Sequence, residues 1–317
     1  MHIQITNKET CTGCSACAER CPQNCIQMIR DNEGFLYPEV DEDACINCGL
    51  CLKTCPITNP VSLSEKKTVA YAGWIGDDQL RKESSSGGVF TALAEKVITE
   101  KRGVVFGAVF DKEHRVMHAC AESIEELGLL RGSKYTQSVI GETYREAKSF
   151  LDEGRTVLFS GTPCQIGGLY SYLGRNYENL YTTDIVCHGV PSPLVWEKYL
   201  EYRTNPDRVV KLVRFRNKQS GWKKYSMYVE YEEGKNYCVP FSKDPYMDVF
   251  LKNWCLRPSC YHCSYKSTQR QADITLADFW GIQTKEPLFC DNKGVSAILI
   301  NTERGKRMVS SCDLFLK

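Results

Sequence analysis

Four cysteines and a proline spaced CxxCxxCxxxCP occur twice in the first sixty residues: Cys11, Cys14, Cys17 and Cys21-Pro22, then Cys45, Cys48, Cys51 and Cys55-Pro56. The copies stand 34 residues apart with no change of spacing, which marks an internal duplication. A short turn presents three thiolates to three corners of a cubane, and the next helix carries the fourth thiolate across to a neighbouring cube. The spacing therefore implies two 4Fe–4S clusters with interleaved ligands. Cys11, Cys14, Cys17 and Cys55 serve the first, and Cys45, Cys48, Cys51 and Cys21 the second. Zinc held by four cysteines is the competing reading of CxxC pairs, but zinc has no use for the interleaved fourth cysteine and its proline. Cys25 falls outside both runs and reads as a packed thiol.

Nine of the 18 cysteines lie before residue 60. Such abundance in a chain without a secretion signal points to metal rather than disulfides. Residues 1–60 thus form a ferredoxin-like two-cluster module, and the polar stretch TNPVSLSEKK (58–67) reads as a linker. Forty basic against 39 acidic side chains leave no long-range field that would select nucleic acid or an anionic membrane. No apolar run approaches the ~18 residues of a membrane helix. The protein reads as cytoplasmic.

Beyond residue 68 apolar runs alternate with helical patterns: VAYAGWI, a helix over 87–101, GVVFGAVF, a helix over 140–152, TVLFS, and a helix after Pro163. That alternation predicts an α/β domain. VVKLVRFRN, YSMYVEYEE and NYCVPF, with turns at Ser220-Gly221 and Glu233-Gly234, predict an antiparallel insertion, and ADITLADF and VSAILI are further strand candidates. The fold class expected is α+β, with the module (1–60) followed by a larger α/β domain in two parts, 61–150 and 151–317.

SSSGGVFTALAEKVI sets small residues ahead of an amphipathic helix, an arrangement suited to an anion and equally to an ordinary serine cap. No GxGxxG or Walker loop occurs. Cys255, Cys260 and Cys263 follow Cx4CxxC and need a fourth ligand. The spacing alone also suits a plant-type 2Fe–2S site completed later in the chain, with Cys290 as candidate. Cys187-His188 cannot simply pair with each other, because neighbours on an extended chain point to opposite faces. Cys187 reads as a buried strand-end thiol. Cys120, Cys238 and Cys312 show no ligand spacing.

From about residue 69 to the end, SSSGGVF, RGSKYTQS, FSGTPCQIGGL, DIVCHGVPSP, FRNKQSGWK and ADITLADFWG resemble, in order, the beta-subunit family of coenzyme F420 hydrogenases and dehydrogenases. The resemblance implies an FAD-binding domain with its own iron-sulfur cluster. It places FAD near Ser85, Ser86, Gly87 and Gly88, with Lys134, Tyr135, Gln137 and Ser138 from GSKYTQS, and Thr162 on a loop facing the flavin ring. It points to Cys164 as the ligand completing a third 4Fe–4S cluster with Cys255, Cys260 and Cys263. His188 and Lys134 are candidate catalytic contacts, Lys134 because a cation near the flavin N1–C2 edge stabilises its reduced anion. Where the family pattern has glycine this chain has Ala277, beside Asp278 and Trp280.

The function expected is an iron-sulfur flavoprotein oxidoreductase, passing electrons in either direction between a hydride carrier or substrate at FAD, coenzyme F420 or another, and the ferredoxin-type clusters. A redox partner protein or ferredoxin would complete the circuit, and a homo-oligomer is compatible with it. Two rivals stand: a non-catalytic electron-relay subunit, and a ferredoxin-dependent reductase of a small molecule, for example in a polysaccharide pathway.

Overall fold

The computed structural model describes residues 1–60 and 68–317; residues 61–67 of the expected linker lie outside them. The cysteine-rich module carries a hairpin of β1 (Ile26–Arg30) and β2 (Leu36–Val40), registered Ile26 to Val40, and two short helices, Ala16–Glu19 and Leu50–Thr54. Its interior is built largely of sulfur. Cys17, Cys25 and Cys51 are buried with Ile3 and Ile26, and Cys21, Cys45 and Cys55 pack around them. A module this small buries too little hydrocarbon to be stable on that alone.

The remaining strands are β3 (Val69–Ile75), β4 (Val104–Phe110), β5 (Val116–Ala121), β6 (Val157–Gly161), β7 (Leu180–Ile185), β8 (Val210–Asn217), β9 (Ser226–Tyr231), β10 (Asn236–Pro240), β11 (Ile274–Asp278), β12 (Ser296–Ile300) and β13 (Leu314–Leu316). Eight of them form one mixed sheet in the order β13-β3-β12-β11-β7-β6-β4-β5. Its centre is parallel: β4 pairs with β6, β6 with β7, and β7 with β11. Central parallel strands are covered on both faces and so read as unbroken apolar runs. Val104, Val105 and Phe106 of β4 and Val157, Leu158 and Phe159 of β6 are all fully buried. Residues 68–150 and 151–317 both contribute strands to this sheet.

The expected antiparallel insertion is present as β10-β9-β8, a separate three-stranded sheet packed on its own core of Trp196, Phe215, Met227 and Tyr246. The helix expected over 87–101 spans Val89–Thr99, burying Val89, Leu93 and Val97. The helix after Pro163 spans Pro163–Leu173. Pro163 sits where its missing N–H costs nothing, and Gln165 Oε1 accepts the Thr162 N–H at 2.9 Å, fixing the first turn. At the other end Gly174 takes φ +64°, a left-handed stop that suits glycine.

One buried histidine spans the gap between β5, β6 and the loop before the Thr143–Asp152 helix. The His118 Nδ1 lies 2.7 Å from Ser138 Oγ and its Nε2 lies 3.0 Å from the Ser160 carbonyl. Burial pushes it down to about 4, so the folded chain holds it neutral while the unfolded chain protonates near 6.5. Its contribution is full above pH ~6.5 and is lost as pH falls toward ~4, at up to about 1.4 kcal/mol per pH unit. Chemical denaturation between pH 7 and 4.5 should therefore show a steeper acid decline for the native chain than for His118→Gln. Parallel declines would show that His118 does not carry this linkage.

Candidate iron-sulfur and cofactor sites

The eight cysteines of the duplicated motif ring two separate cavities. Cys11, Cys14, Cys17 and Cys55 line one of about 100 Å³, and Cys21, Cys45, Cys48 and Cys51 line a smaller one of about 20 Å³. The helical turns set this up: Cys17 lies on Ala16–Glu19 and its neighbour Cys21 just past it, while Cys51 and Cys55 stand in the same relation to Leu50–Thr54. Those two helices pack against each other, so each sends its trailing cysteine to the other's cavity. Cys25 also lines the second cavity, with its Sγ 3.4 Å from that of Cys21. Among the described residues no three His, Cys, Asp or Glu side chains close on a single-ion site. A lone zinc would draw its thiolates to about 3.8 Å of one another, given Zn–S bonds of ~2.3 Å.

A third group of thiols gathers at the carboxyl ends of the parallel strands, where open α/β sheets place their sites. The chain leaves β6 into Thr162 and Cys164, and leaves β7 into Cys187. The segment after Cys187 then runs alongside the second cysteine motif: Pro191 bridges Leu256, Ser192 N–H donates to the Cys255 carbonyl at 2.8 Å, and Val190 N–H points at Cys260 Sγ at 3.4 Å. Burial, then Cys260 and Cys263, push the Cys164 thiol up to about 11. Burial, then Cys164, Cys260 and Cys263, push Cys187 up to about 12. Cys255 is raised by burial, offset by the Ser192 N–H, without a neighbouring thiol among its causes. Cys164, Cys187, Cys260 and Cys263 feel one another's charge, and the pairing of Ser192 with Cys255 brings Cys255 alongside the same segment. Cys290 packs elsewhere, with Trp222, Ile282 and Val295.

The first and third thiol groups are neighbours. Cys14 packs directly on the Pro163–Leu173 helix, so closely that a Cβ on Gly168 would stand 2.9 Å from Cys14 Cβ and 3.1 Å from its Sγ. Burial, then Cys11, Cys164 and Cys55, raise the Cys14 thiol to about 12. Arg257, fully buried between Cys255 and Cys260 in sequence, reaches from the large domain into the module. Its Nε donates to the Cys11 carbonyl at 2.8 Å, Nη2 to the Leu36 carbonyl at 2.9 Å, and Nη1 to Gln137 Oε1 at 3.0 Å.

The Ser85–Gly88 loop lies further along the same rim of the sheet, between the end of β3, the start of β12 and the end of β8. Ile75 N–H donates to the Gly87 carbonyl at 2.8 Å and Gly87 N–H to Ser296 Oγ at 3.0 Å. A Cβ on Gly87 would fall 2.4 Å from the Gly73 carbonyl oxygen, so no larger residue fits. Ser133 donates to Ser85 Oγ from its N–H (2.7 Å) and its hydroxyl (2.8 Å). Three buried cations surround the loop. Arg216 Nη2 donates to the Ser85 carbonyl at 3.2 Å, Lys218 Nζ to the Ser86 carbonyl at 3.0 Å and to the Arg81 carbonyl at 2.6 Å. Arg216 is forked onto Asp278 at 2.7 and 3.0 Å, and Arg81 onto Asp291 at 2.8 and 2.7 Å. Lys218 bonds only backbone carbonyls, and burial, then Arg216 and Arg81, push its ammonium down to about 7. Arg216 Nε is buried without a partner. Among the described residues Arg81 and Arg216 each pair with a carboxylate and Lys218 with none. Beside it Trp222 donates its Nε1–H to Asp278 at 2.7 Å and stacks at 4.6 Å on Trp280, which is half-exposed.

The residues expected near a flavin fall in three places. Ser85, Ser86, Gly87, Gly88 and Tyr135 share the cation-rich loop, with Arg216 Nη1 donating to Tyr135 Oη at 3.0 Å. Lys134 turns its ammonium onto the Leu130, Arg131 and Gly132 carbonyls, at 3.4, 3.2 and 3.2 Å, and burial pushes it down to about 7. Gln137 is committed to Arg257 and the Thr12 carbonyl, Ser138 to His118, and Thr162 to Cys164 Sγ at 3.1 Å. His188 is exposed, 2.6 Å from Asn253 Oδ1 and against the Phe250 ring. Sequence reasoning singled out neither Arg216, Lys218 nor Arg257, and it assigned Cys187 no ligand role. FRNKQSGWK and the Cx4CxxC run contain these residues, but their partners lie more than 60 positions away.

A module ringed with thiols beside a mixed α/β sheet is the architecture of an iron-sulfur protein. The sequence profile of the 4Fe–4S dicluster domain matches residues 10–59, and those of the coenzyme F420 hydrogenase/dehydrogenase beta subunit match residues 70–143 (N-terminal part) and 154–313 (C terminus). The chain belongs to that beta-subunit family. It is 22% identical over 321 aligned positions to the coenzyme F420-dependent sulfite reductase of Methanocaldococcus jannaschii, covering 98% of this chain and 47% of that protein. It thus spans about half the length of that relative. The module alone is 37% identical over 51 residues to pyruvate synthase subunit PorD of Methanothermobacter marburgensis, covering 16% of this chain and 53% of that protein. In fold, the chain is similar to one from the F420-reducing [NiFe] hydrogenase complex of Methanosarcina barkeri, with TM-score 0.54, 18% identity, and 81% and 85% of the two chains covered. Among the described residues no helix is long and apolar enough to cross a membrane.

Gly13 tests the packing where module and domain meet. It sits at φ +67°, and a Cβ there would stand 2.7 Å from Arg257 Nη1 and 2.8 Å from Gln137 Nε2. Gly13→Ala should lower stability in urea unfolding by about 1–2 kcal/mol from the left-handed backbone alone, and more if Arg257 is displaced. An unchanged midpoint would mean the contact is slack.

Proposed function

We propose that this protein is an iron-sulfur flavoprotein that passes electrons between a hydride carrier or small-molecule substrate, met at FAD, and a redox partner, through three 4Fe–4S clusters. Cys11, Cys14, Cys17 and Cys55 hold the first and Cys21, Cys45, Cys48 and Cys51 the second. Cys164, Cys187, Cys260 and Cys263 hold the third, with Cys187 in the place that spacing gave to Cys255. The observation that carries this reading is the packing of Cys14 against the helix whose first turn bears Cys164, which leaves no gap between the module and the thiols at the strand ends. The F420-dependent relatives make a deazaflavin carrier the first to try, and a ferredoxin the first partner.

The donor set suits FAD at the Ser85–Gly88 loop. The cluster of Arg81, Arg216 and Lys218, with Lys218 held by carbonyls rather than a carboxylate and Arg216 Nε unpartnered, suits a pyrophosphate, and the exposed face of Trp280 offers a flat surface to an aromatic ring. FAD would supply the exchange between two-electron and one-electron chemistry. The chain's own part is to hold the pyrophosphate, keep the thiols dry and set the clusters in file.

Anaerobically purified protein should contain about twelve irons, matching sulfide and one FAD, since each cubane carries four irons. About eight irons without flavin would reduce the protein to a ferredoxin-type relay. Cys187→Ser should lose about four irons while Cys255→Ser keeps all of them; the reverse result would return the ligand role to Cys255. Lys218→Met should retain its iron yet release flavin on gel filtration at least tenfold more readily, and unchanged retention would move the FAD site away from this loop.

A further inference from the structure

Arg257 is a buried cation that meets no carboxylate among the described residues. Its hydrogen bonds run to the Cys11 and Leu36 carbonyls and to Gln137 Oε1, and its Nη2 lies 3.7 Å from Cys11 Sγ. The Tyr37 and Phe35 rings cover it at 4.2 and 5.4 Å. Neutral carbonyls and ring faces orient a guanidinium but do not neutralise it, and a buried charge needs an anion. The groups around it that become anionic are thiolates. The Arg257 guanidinium meets Cys11 directly, and its backbone is bound to the turn that presents Cys260, whose N–H donates to the Arg257 carbonyl at 2.8 Å. Those cysteines belong to two different thiol groups, the first and the third.

We infer that Arg257 is a positioning residue that sets the reduction potentials of the first and third clusters together, as the fixed counter-charge shared between them. The inference rests on the ligand assignment proposed above. One electron delivered to either cluster adds one negative charge beside a guanidinium that keeps its proton at any working pH, so no proton moves with it. The favourable Coulomb term grows with each added electron, and both clusters are easier to reduce than they would be without it. The geometry is built to hold the charge still. Gly13 has no room for a side chain on that face, Gln137 is itself tied back to the Thr12 carbonyl at 3.1 Å, and the Arg257 N–H is anchored on the Val190 carbonyl at 2.9 Å. The second cluster's cysteines take no part in this set.

The test is a potentiometric titration of the full chain, with dithionite as reductant and EPR as readout, on the native protein, Arg257→Gln and Arg257→Lys, each checked for iron and sulfide. In Arg257→Gln two of three clusters should shift to more negative potential and one should not move. Arg257→Lys keeps the charge but loses the reach to Cys11 Sγ, so its first cluster should fall by less. Three unmoved potentials in a fully loaded variant would overturn the inference, as would a shift confined to the second cluster. If Arg257→Gln fails to retain iron, Arg257→Lys decides alone: a fall at one cluster supports the inference and no change overturns it. Native protein without a third cluster would instead overturn the ligand assignment, and the inference with it.

Discussion

A guanidinium buried without a carboxylate joins the two parts of this molecule. Arg257 belongs by sequence to the large domain, yet two of its side chain's four hydrogen-bond contacts are to Cys11, and another is to Leu36, in the module. The module cannot stand on hydrocarbon, because its interior is mostly cysteine sulfur, and a domain of that size needs metal or disulfides to persist. Arg145 adds a second tie, with its N–H donating to Glu19 Oε2 at 2.9 Å at the start of the Thr143–Asp152 helix, while burial pushes the Glu19 carboxyl up to about 8. The module is thus held against the Pro163–Leu173 and Thr143–Asp152 helices by Cys14 and Glu19.

The sheet explains why the remaining chemistry gathers where it does. Parallel strands all end on the same side, so β6, β7 and β11 deliver Thr162 and Cys164, Cys187, and Asp278 with Trp280 to one rim. The antiparallel insertion then returns to this rim, and the end of β8 supplies Arg216 and Lys218 to the Ser85–Gly88 loop. Each cation is fixed by what it touches: Arg216 by Asp278, Lys218 by three carbonyls, Arg81 by Asp291. A ligand arriving there finds donors already oriented, with little reorganisation left to do.

Short-range pattern was the legible part of this chain. The interleaved cysteine assignment follows from spacing within 45 residues, and the cavities it predicts are ringed by the same eight thiols. The strands β3, β4, β8, β9, β10, β11 and β12 and the helices Val89–Thr99 and Pro163–Leu173 follow from runs of apolar residues. β5 and the Pro193–Arg203 helix were not drawn out, the first because His118 interrupts its apolar run and the second because Trp196, Tyr199 and Leu200 are spaced through a charged segment. Nothing local in the sequence links Cys187 to Cys260; the contacts of Pro191 with Leu256, Ser192 with Cys255 and Val190 with Cys260 bring their segments together. Arg257 gave no signal either, since a lone arginine between two cysteines is ordinary until its partners are known to sit some 220 to 250 positions earlier.

Contact between the first and third clusters is the most consequential claim, and the EPR spectrum of the fully reduced protein tests it most directly. Clusters packed across Cys14 and Cys164 should show mutual magnetic broadening that collapses to the two-cluster pattern of the module when Cys164 is replaced by alanine. Three sharp, independent signals in the native protein, unaltered in the remaining two by that substitution, would contradict it.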